Sequence, residues 1–350
     1  MRRIWSLTSC LAGLSVGQAY AQSTPPAPVP GLDKLQHIIV LYLENRSFDN
    51  LYGLFPGAEG LESAKGVSLQ VDRNGKVFAT LPPVVNTSIK PSAVDPRFPA
   101  DLPNAPFGVE QYVALDKPTG DLVHRWYQEQ EQIDGGKMDK FAAVSDAKGL
   151  VMGYYDGSAL PMWKIAKENV LADHFFHAAF GGSFLNHIWL VCACSPRYDE
   201  APATLIATED ARGHMVKDGA VTPDGYAVNT IQSVYMPHSP AITDETKLLP
   251  PQTQLTIGDR LSAKGVSWDP GYADVLTGDQ NVAPPAVDKW GPGTRIPTII
   301  VSPFAKRGFV DHTRYDTTSI LKLIETRFQL PPLSSRDAGA NDLTNALELH

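Results

Sequence analysis

The chain has 350 residues, 43% of them hydrophobic and 19% charged, with 30 basic against 38 acidic side chains and a formal charge of −8. A chain of this length holds one large α/β domain or two smaller ones, and core size sets no limit on folding. An acidic sequence without a Lys/Arg cluster excludes a nucleic-acid binder, yet it admits a phosphate substrate, because a bound cation reverses the field locally.

The first 21 residues stand apart. Arg2 and Arg3 precede an apolar stretch over 4–16, and Ala19-Tyr20-Ala21 has the small-x-small form of a cleavage site. This pattern predicts a secretory signal cut after Ala21, too short for the ~20 apolar residues of a membrane span. We therefore expect a periplasmic or secreted protein with no stable span. Residues 22–34, rich in proline, form an extended linker, and 35–350 form the functional domain. Cys10 leaves with the signal. Cys192 and Cys194 are one residue apart in an apolar run, and are expected as small buried hydrophobes rather than a mutual disulfide.

Residues 36–43 read as the first strand, buried on both faces because their apolarity is continuous. The run ends in Glu44-Asn45. In open α/β sheets ligands collect beyond the carboxyl ends of strands, and a carboxylate beside an amide offers hard oxygens to a divalent cation. Residues 61–110 read as loops over the active face, with a short hairpin at Asn74-Gly75. Helical spacing over 121–132 stops at Gly135-Gly136. A helix over 160–169 leads into a short strand at 170–173. Gly181-Gly182 precede a helix over 183–194. Short strands or edges are expected at 204–207 and 233–236, a helix at 256–264, a strand at 296–302 and a terminal helix at 317–328. Strands alternating with helices predict an α/β sandwich.

The segment Gly181-Gly182-Ser183-Phe184-Leu185-Asn186-His187 carries the richest chemistry. Two glycines allow a sharp turn and close backbone approach to a ligand. A helix beginning at Ser183 directs free N–H groups and its dipole at an anion, and the hydroxyl is a nucleophile once its proton is removed. Asn186 and His187 lie on the same helical face as Ser183. On the residues alone, Ser183 reads equally as a helix cap. His124 reads as a solvated or capping helix residue. His312, beside Asp311, reads as an acid–base imidazole or as part of a loop leading to a helix capped by Asp316 or Thr317.

Four separated segments, in order, resemble the bacterial phosphoesterase family that holds acid phosphatases and phospholipases C. These are Glu44-Asn45-Arg46-Ser47-Phe48-Asp49, Asp121-Leu122-Val123-His124 with Gly135-Gly136-Lys137-Met138-Asp139, Gly181 to Asn186, and the block from Trp290 to Leu347 with Val310-Asp311-His312-Thr313 and Tyr315-Asp316. The resemblance implies an alkaline-phosphatase-like three-layer sandwich, with a central mostly parallel sheet and helices on both faces. It implies Ser183 as nucleophile, His124 as a donor to phosphate oxygens, Asn186 and His312 as further site residues, and Glu44, Asn45 and Ser183 as ligands of a divalent metal ion. The substrate would be a small phosphate ester or a phospholipid headgroup.

Two blocks of the family pattern are missing. Ser267-Trp268-Asp269 runs directly into Pro270-Gly271-Tyr272-Ala273-Asp274, without the intervening histidine-containing segment. Asp279-Gln280-Asn281-Val282 passes straight to Ala283-Pro284-Pro285, without the strand whose acidic pair completes the metal site. The domain is thus expected to be incomplete near 268–285. Three oxygen ligands fall short of the six or more a hard cation prefers, and nothing in the spacing of Asp274, Asp279 or Asp288 selects a substitute. The expectation is an impaired secreted hydrolase of phosphate esters. The alternatives are a non-catalytic phosphate- or headgroup-binding relic, and a metal-free esterase using Ser183 with His187 or His312. The last lacks the Gly-x-Ser-x-Gly elbow.

Overall fold

The computed structural model describes residues 24–43, 46–64, 69–211, 214–235, 238–269 and 288–350. The expected signal peptide, the Glu44-Asn45 pair, Asp274, Asp279 and most of the 268–285 region lie outside these residues.

The architecture is mixed α/β. Its centre is a small sheet in which β1 (Val170–Ala172) is flanked by β3 (Thr298–Ile300), antiparallel, and by β4 (Phe309–Asp311), parallel. Beyond Asp173 and His174 the same two chain segments pair again, with β2 (Phe175–Phe176) parallel to β5 (Tyr315–Asp316). All three residues of β1 are fully buried, and they face opposite ways. Leu171 packs with Phe48, Tyr52 and Trp163, which come from helices α1 (Phe48–Tyr52) and α3 (Pro161–Glu168). Ala172 packs with Phe175, Tyr315 and Leu323, the last from helix α6 (Thr317–Phe328). Burying both faces is what a short, uninterrupted apolar run requires.

Several expected elements form as read. α6 starts at a capping box in which Asp316 accepts from Thr318 and Ser319 reaches back to Asp316. Helix α5 (Ile257–Ala263) begins with the box Thr256/Asp259. The Asn74-Gly75 turn closes a Val71–Val77 bridge, with Gly75 at φ 85°. The stretches near 206 and 233 make single bridges to Val221 and Leu249.

Other expectations need correction. The 36–43 run pairs with no strand among the described residues; Ile39 is 82% and Leu41 80% exposed. Continuous apolarity implies burial on two faces only where neighbouring strands exist to provide them, and here the sequence lacks two of the expected blocks. Only Ile38 and Tyr42 turn inward, so the run behaves as a one-sided surface segment. The 296–302 strand shrinks to three residues and runs antiparallel, so the described residues do not form a continuous, mostly parallel central sheet. The 121–132 helix starts five residues late: α2 spans Trp126–Ile133, leaving His124 on an extended segment before it. Cys192 and Cys194 do form a disulfide. Ala193, in the left-handed conformation at φ 48°, closes helix α4 (Ser183–Cys192) and brings the two Cα atoms to 5.1 Å, inside the usual range.

Candidate active site

The loop from β2 into α4 is fixed residue by residue. The N–H of Ala178 donates to Thr317 Oγ1 (3.2 Å), that of Ala179 to Asn186 Oδ1 (3.0 Å) and that of Phe180 to the Trp290 carbonyl (2.6 Å). The N–H of Gly181 donates to Glu129 Oε2. Gly181 has φ 87°, and a Cβ there would meet the Trp126 backbone nitrogen at 2.9 Å, so glycine is needed for both conformation and space. Gly182, not Ser183, is the helix cap; Ser183 is the first helical residue, and the reading of Ser183 as a mere cap does not hold. Its position at the opening of a ten-residue helix places it among the free N–H groups of the first turn.

Asn186 is fully buried and turned back under this loop. Its Nδ2 donates to the carbonyls of Ala179 (3.0 Å), Gly181 (3.3 Å) and Gly182 (3.3 Å). It therefore shapes the Gly181-Gly182-Ser183 turn from beneath. His187, exposed, donates from Nδ1 to the Ser183 carbonyl (2.8 Å) and stands edge-on to Tyr42. The Tyr42 ring also lies 6.2 Å from that of His177. His177 Nδ1 bonds Thr294 Oγ1 (3.0 Å), and burial, followed by the nearby His187, holds its pKa down to about 3. This imidazole stays neutral at physiological pH.

His124 packs against the same turn. Its Nδ1 donates to the Leu122 carbonyl (2.7 Å), and its Cδ2 lies 2.8 Å from where a Cβ on Gly182 would sit. Nε2 is then the nitrogen on the Gly182 side, 3.7 Å from that point. Sequence elements 60 residues apart thus meet at the start of α4.

His312 belongs to a different cluster. Its Nδ1 bonds Asp173 Oδ2 (2.8 Å), which also accepts the Glu59 N–H (2.8 Å). Asp173 is fully buried, and its Oδ1 has no hydrogen-bond partner among the described residues. His174 Nε2 bonds Glu59 Oε2 (3.0 Å), and the His174 and His312 rings are 6.2 Å apart. Asp311 does not orient His312. It accepts from Tyr315 Oη (2.9 Å), the Thr313 N–H (3.0 Å) and Asn345 Nδ2 (2.9 Å) instead. Arg295 links this cluster to the segment following Glu44-Asn45. It bonds the Asp49 carboxylate (2.7 and 2.8 Å) and the carbonyls of Glu59 (2.7 Å) and Asp173 (3.1 Å).

Sequence reasoning missed two residues. Asp173 directly follows the strand Val170-Leu171-Ala172, and a carboxylate at a strand's carboxyl end was the available signal. Glu129 carries no such signal: a glutamate in the middle of an amphipathic helix reads as solvated. It is buried beneath the nucleophile turn, and burial pushes its carboxyl up to about 8 against the pull of the Gly181 N–H.

Of the residues the resemblance assigns to a divalent metal, Glu44 and Asn45 lie outside the described residues and Ser183 opens α4. Among the described residues, no group of three or more His, Cys, Asp or Glu side chains is placed to hold one. Glu44, Asn45 and Ser183 together supply one carboxylate and two neutral oxygens.

A phosphoesterase family model matches residues 35–284 and 269–331. The chain belongs to the phosphoesterase family. It is 27% identical over 179 residues to phospholipase C A of Mycobacterium tuberculosis, covering 48% of this chain and 31% of that protein. It is 24% identical over 201 residues to phospholipase C B of the same organism, covering 52% of this chain and 34% of that protein. The matched region thus spans about a third of the length of these relatives. The family match covers most of the chain, and the two relatives are phospholipases C by name. No helix among its described residues is long and apolar enough to cross a membrane.

Proposed function

We propose that this chain is an exported hydrolase of phosphate esters, of acid phosphatase or phospholipase C type, in which Ser183 is the nucleophile and the metal centre is impaired. The observation that carries this reading is the convergence of Gly182, Ser183 and the His124 imidazole at the N-terminus of α4. A phosphoryl group seated there would meet free N–H groups of the first turn and a histidine edge, donors suited to charge developing on its oxygens. In-line attack by Ser183 Oγ would break the bond to the leaving alcohol, which takes up a proton in place of the one lost by the serine, and leave the phosphoryl group on Ser183. Water would then release inorganic phosphate from a monoester, or the remaining phosphomonoester from a diester, and restore the hydroxyl. His312, held by the buried Asp173 carboxylate, has the form of an acid–base imidazole.

Glu44, Asn45 and Ser183 are the residues we assign to a divalent cation, and no step above is routed through it, because their oxygens fill half of such a site at most. Purified full-length protein should therefore hydrolyse p-nitrophenyl phosphate slowly, with little gain from added divalent metals. Robust, chelator-sensitive turnover would overturn the impaired-centre reading.

The two family blocks missing from the sequence near 268–285 favour one second reading, a non-catalytic binder of phosphate or lipid headgroups. Phosphate affinity unaffected by chelator, without any turnover, would support it. The metal-free esterase reading with His187 loses ground, since His187 Nδ1 bonds the Ser183 carbonyl rather than the hydroxyl.

A further inference from the structure

An open cleft of about 300 Å³ adjoins the start of α4, where Gly182 and Phe184, the residues on either side of Ser183, line it with His124. Lys90, Ser92, Asp121 and Thr230 also line it. Any group esterified to a phosphoryl at the start of α4 has this space beside it. Its chemistry therefore bears on what that group is, a question the Ser183 reading leaves open and on which this inference rests.

The polar lining divides into side chains already committed and side chains left for a ligand. Asn229 is committed: Oδ1 accepts the Trp126 N–H (2.9 Å) and Nδ2 donates to the Gly219 carbonyl (2.7 Å). Arg125 is committed to Asp218 (2.5 Å). Lys90, Ser92, Asp121 and Thr230 are exposed at the cleft. Together they offer an ammonium donor, a carboxylate acceptor and two hydroxyls that do either.

Size and composition then select a class. At about 30 Å³ per water-sized unit the cleft takes on the order of ten non-hydrogen atoms, the low end of small-molecule sites. Two acyl chains of a lipid do not fit. A quaternary ammonium is recognised by cages of several aromatic rings, whereas among the described residues the lining offers the Phe184 ring and the His124 imidazole and no such cage. A sugar or other polyol presents hydroxyls that each donate and accept, which matches the mixed set of free groups. We propose that this cleft is the subsite for the polyhydroxylated alcohol of a phosphate monoester.

Calorimetric titration of the full chain with glucose 6-phosphate, phosphocholine and inorganic phosphate tests this without requiring turnover. Glucose 6-phosphate should bind at least tenfold tighter than either of the others. Asp121→Asn and Ser92→Ala, both at exposed positions, should remove most of that gain and leave inorganic phosphate affinity unchanged. Equal affinities, a preference for phosphocholine, no binding of any of the three, or a gain that survives both substitutions would overturn the proposal. Failure of the hydrolase reading would appear separately, as absent p-nitrophenyl phosphate turnover, and would leave the binding comparison intact.

Discussion

Around Ser183 each backbone N–H from Ala178 to Gly181 has a partner, and Asn186 gathers three carbonyls of the same turn. The 36–43 run leading to Glu44-Asn45 instead exposes Ile39, Leu41 and Leu43 to solvent. The first region is held by partners from α4, α2, α6 and Trp290. The second needs neighbouring strands, and the described residues supply none. The turn before α4 is thus ordered by hydrogen bonds to its own backbone, whereas the 36–43 run has no described neighbour to bury it.

This contrast is open to attack by substitution. Asn186→Ala should have the largest effect on stability. It leaves the Ala179 N–H and the buried carbonyls of Ala179 and Gly181 without the Asn186 amide, a loss of about 2–4 kcal/mol. Chemical denaturation would measure it, and a loss below about 1 kcal/mol would mean the turn is not held as described. Asp173→Asn should lower kcat roughly tenfold with KM little changed, because the imidazole of His312 loses its carboxylate partner while the side-chain shape is retained. Steady-state kinetics across pH would separate this from a purely structural loss, which would leave the pH profile of the remaining activity unmoved.

A smaller effect follows from the buried carboxyl beneath the turn. Glu129 has a folded pKa of about 8, raised above the ordinary carboxylate value by burial. Between the unfolded and folded values the native state binds more protons, so unfolding free energy falls as pH rises through about 4.5 to 8, by up to about 1.4 kcal/mol per pH unit. Glu325, fully buried beside Asp337, has its carboxyl pushed up to about 10 and adds a slope of the same sign. Glu129→Gln should flatten the pH 5–8 part of the curve measured by denaturant titration; an unchanged slope would place the Glu129 proton elsewhere. At the other extreme, Leu41→Lys should change stability by less than about 0.5 kcal/mol, since that side chain is already in water. A loss of several kcal/mol would mean that the run is buried after all.

The sequence was legible where local rules decide. The Gly-Gly-Ser turn, the capping boxes at Thr256 and Asp316, and the strand Val170–Ala172 all form near their expected places because their determinants lie within a few residues. It misled where long-range pairing decides. The 36–43 run has strand composition but no described neighbours, and α2 starts late because Leu122 to Arg125 extend past the α4 turn, with His124 against Gly182, rather than winding into the helix. Spacing alone also hid the Cys192–Cys194 bridge, since the left-handed Ala193 that permits it carries no glycine signature. Asp173 and Glu129 became visible as site residues only once the fold put them beside His312 and Gly181.

The account rests on Ser183 as the group that takes the phosphoryl. Acid-quenched full-length protein, incubated with a phosphate ester and mapped by mass spectrometry, should carry phosphate on Ser183, and Ser183→Ala should carry none. Turnover without covalent phosphate, or phosphate on another residue that survives Ser183→Ala, would contradict it.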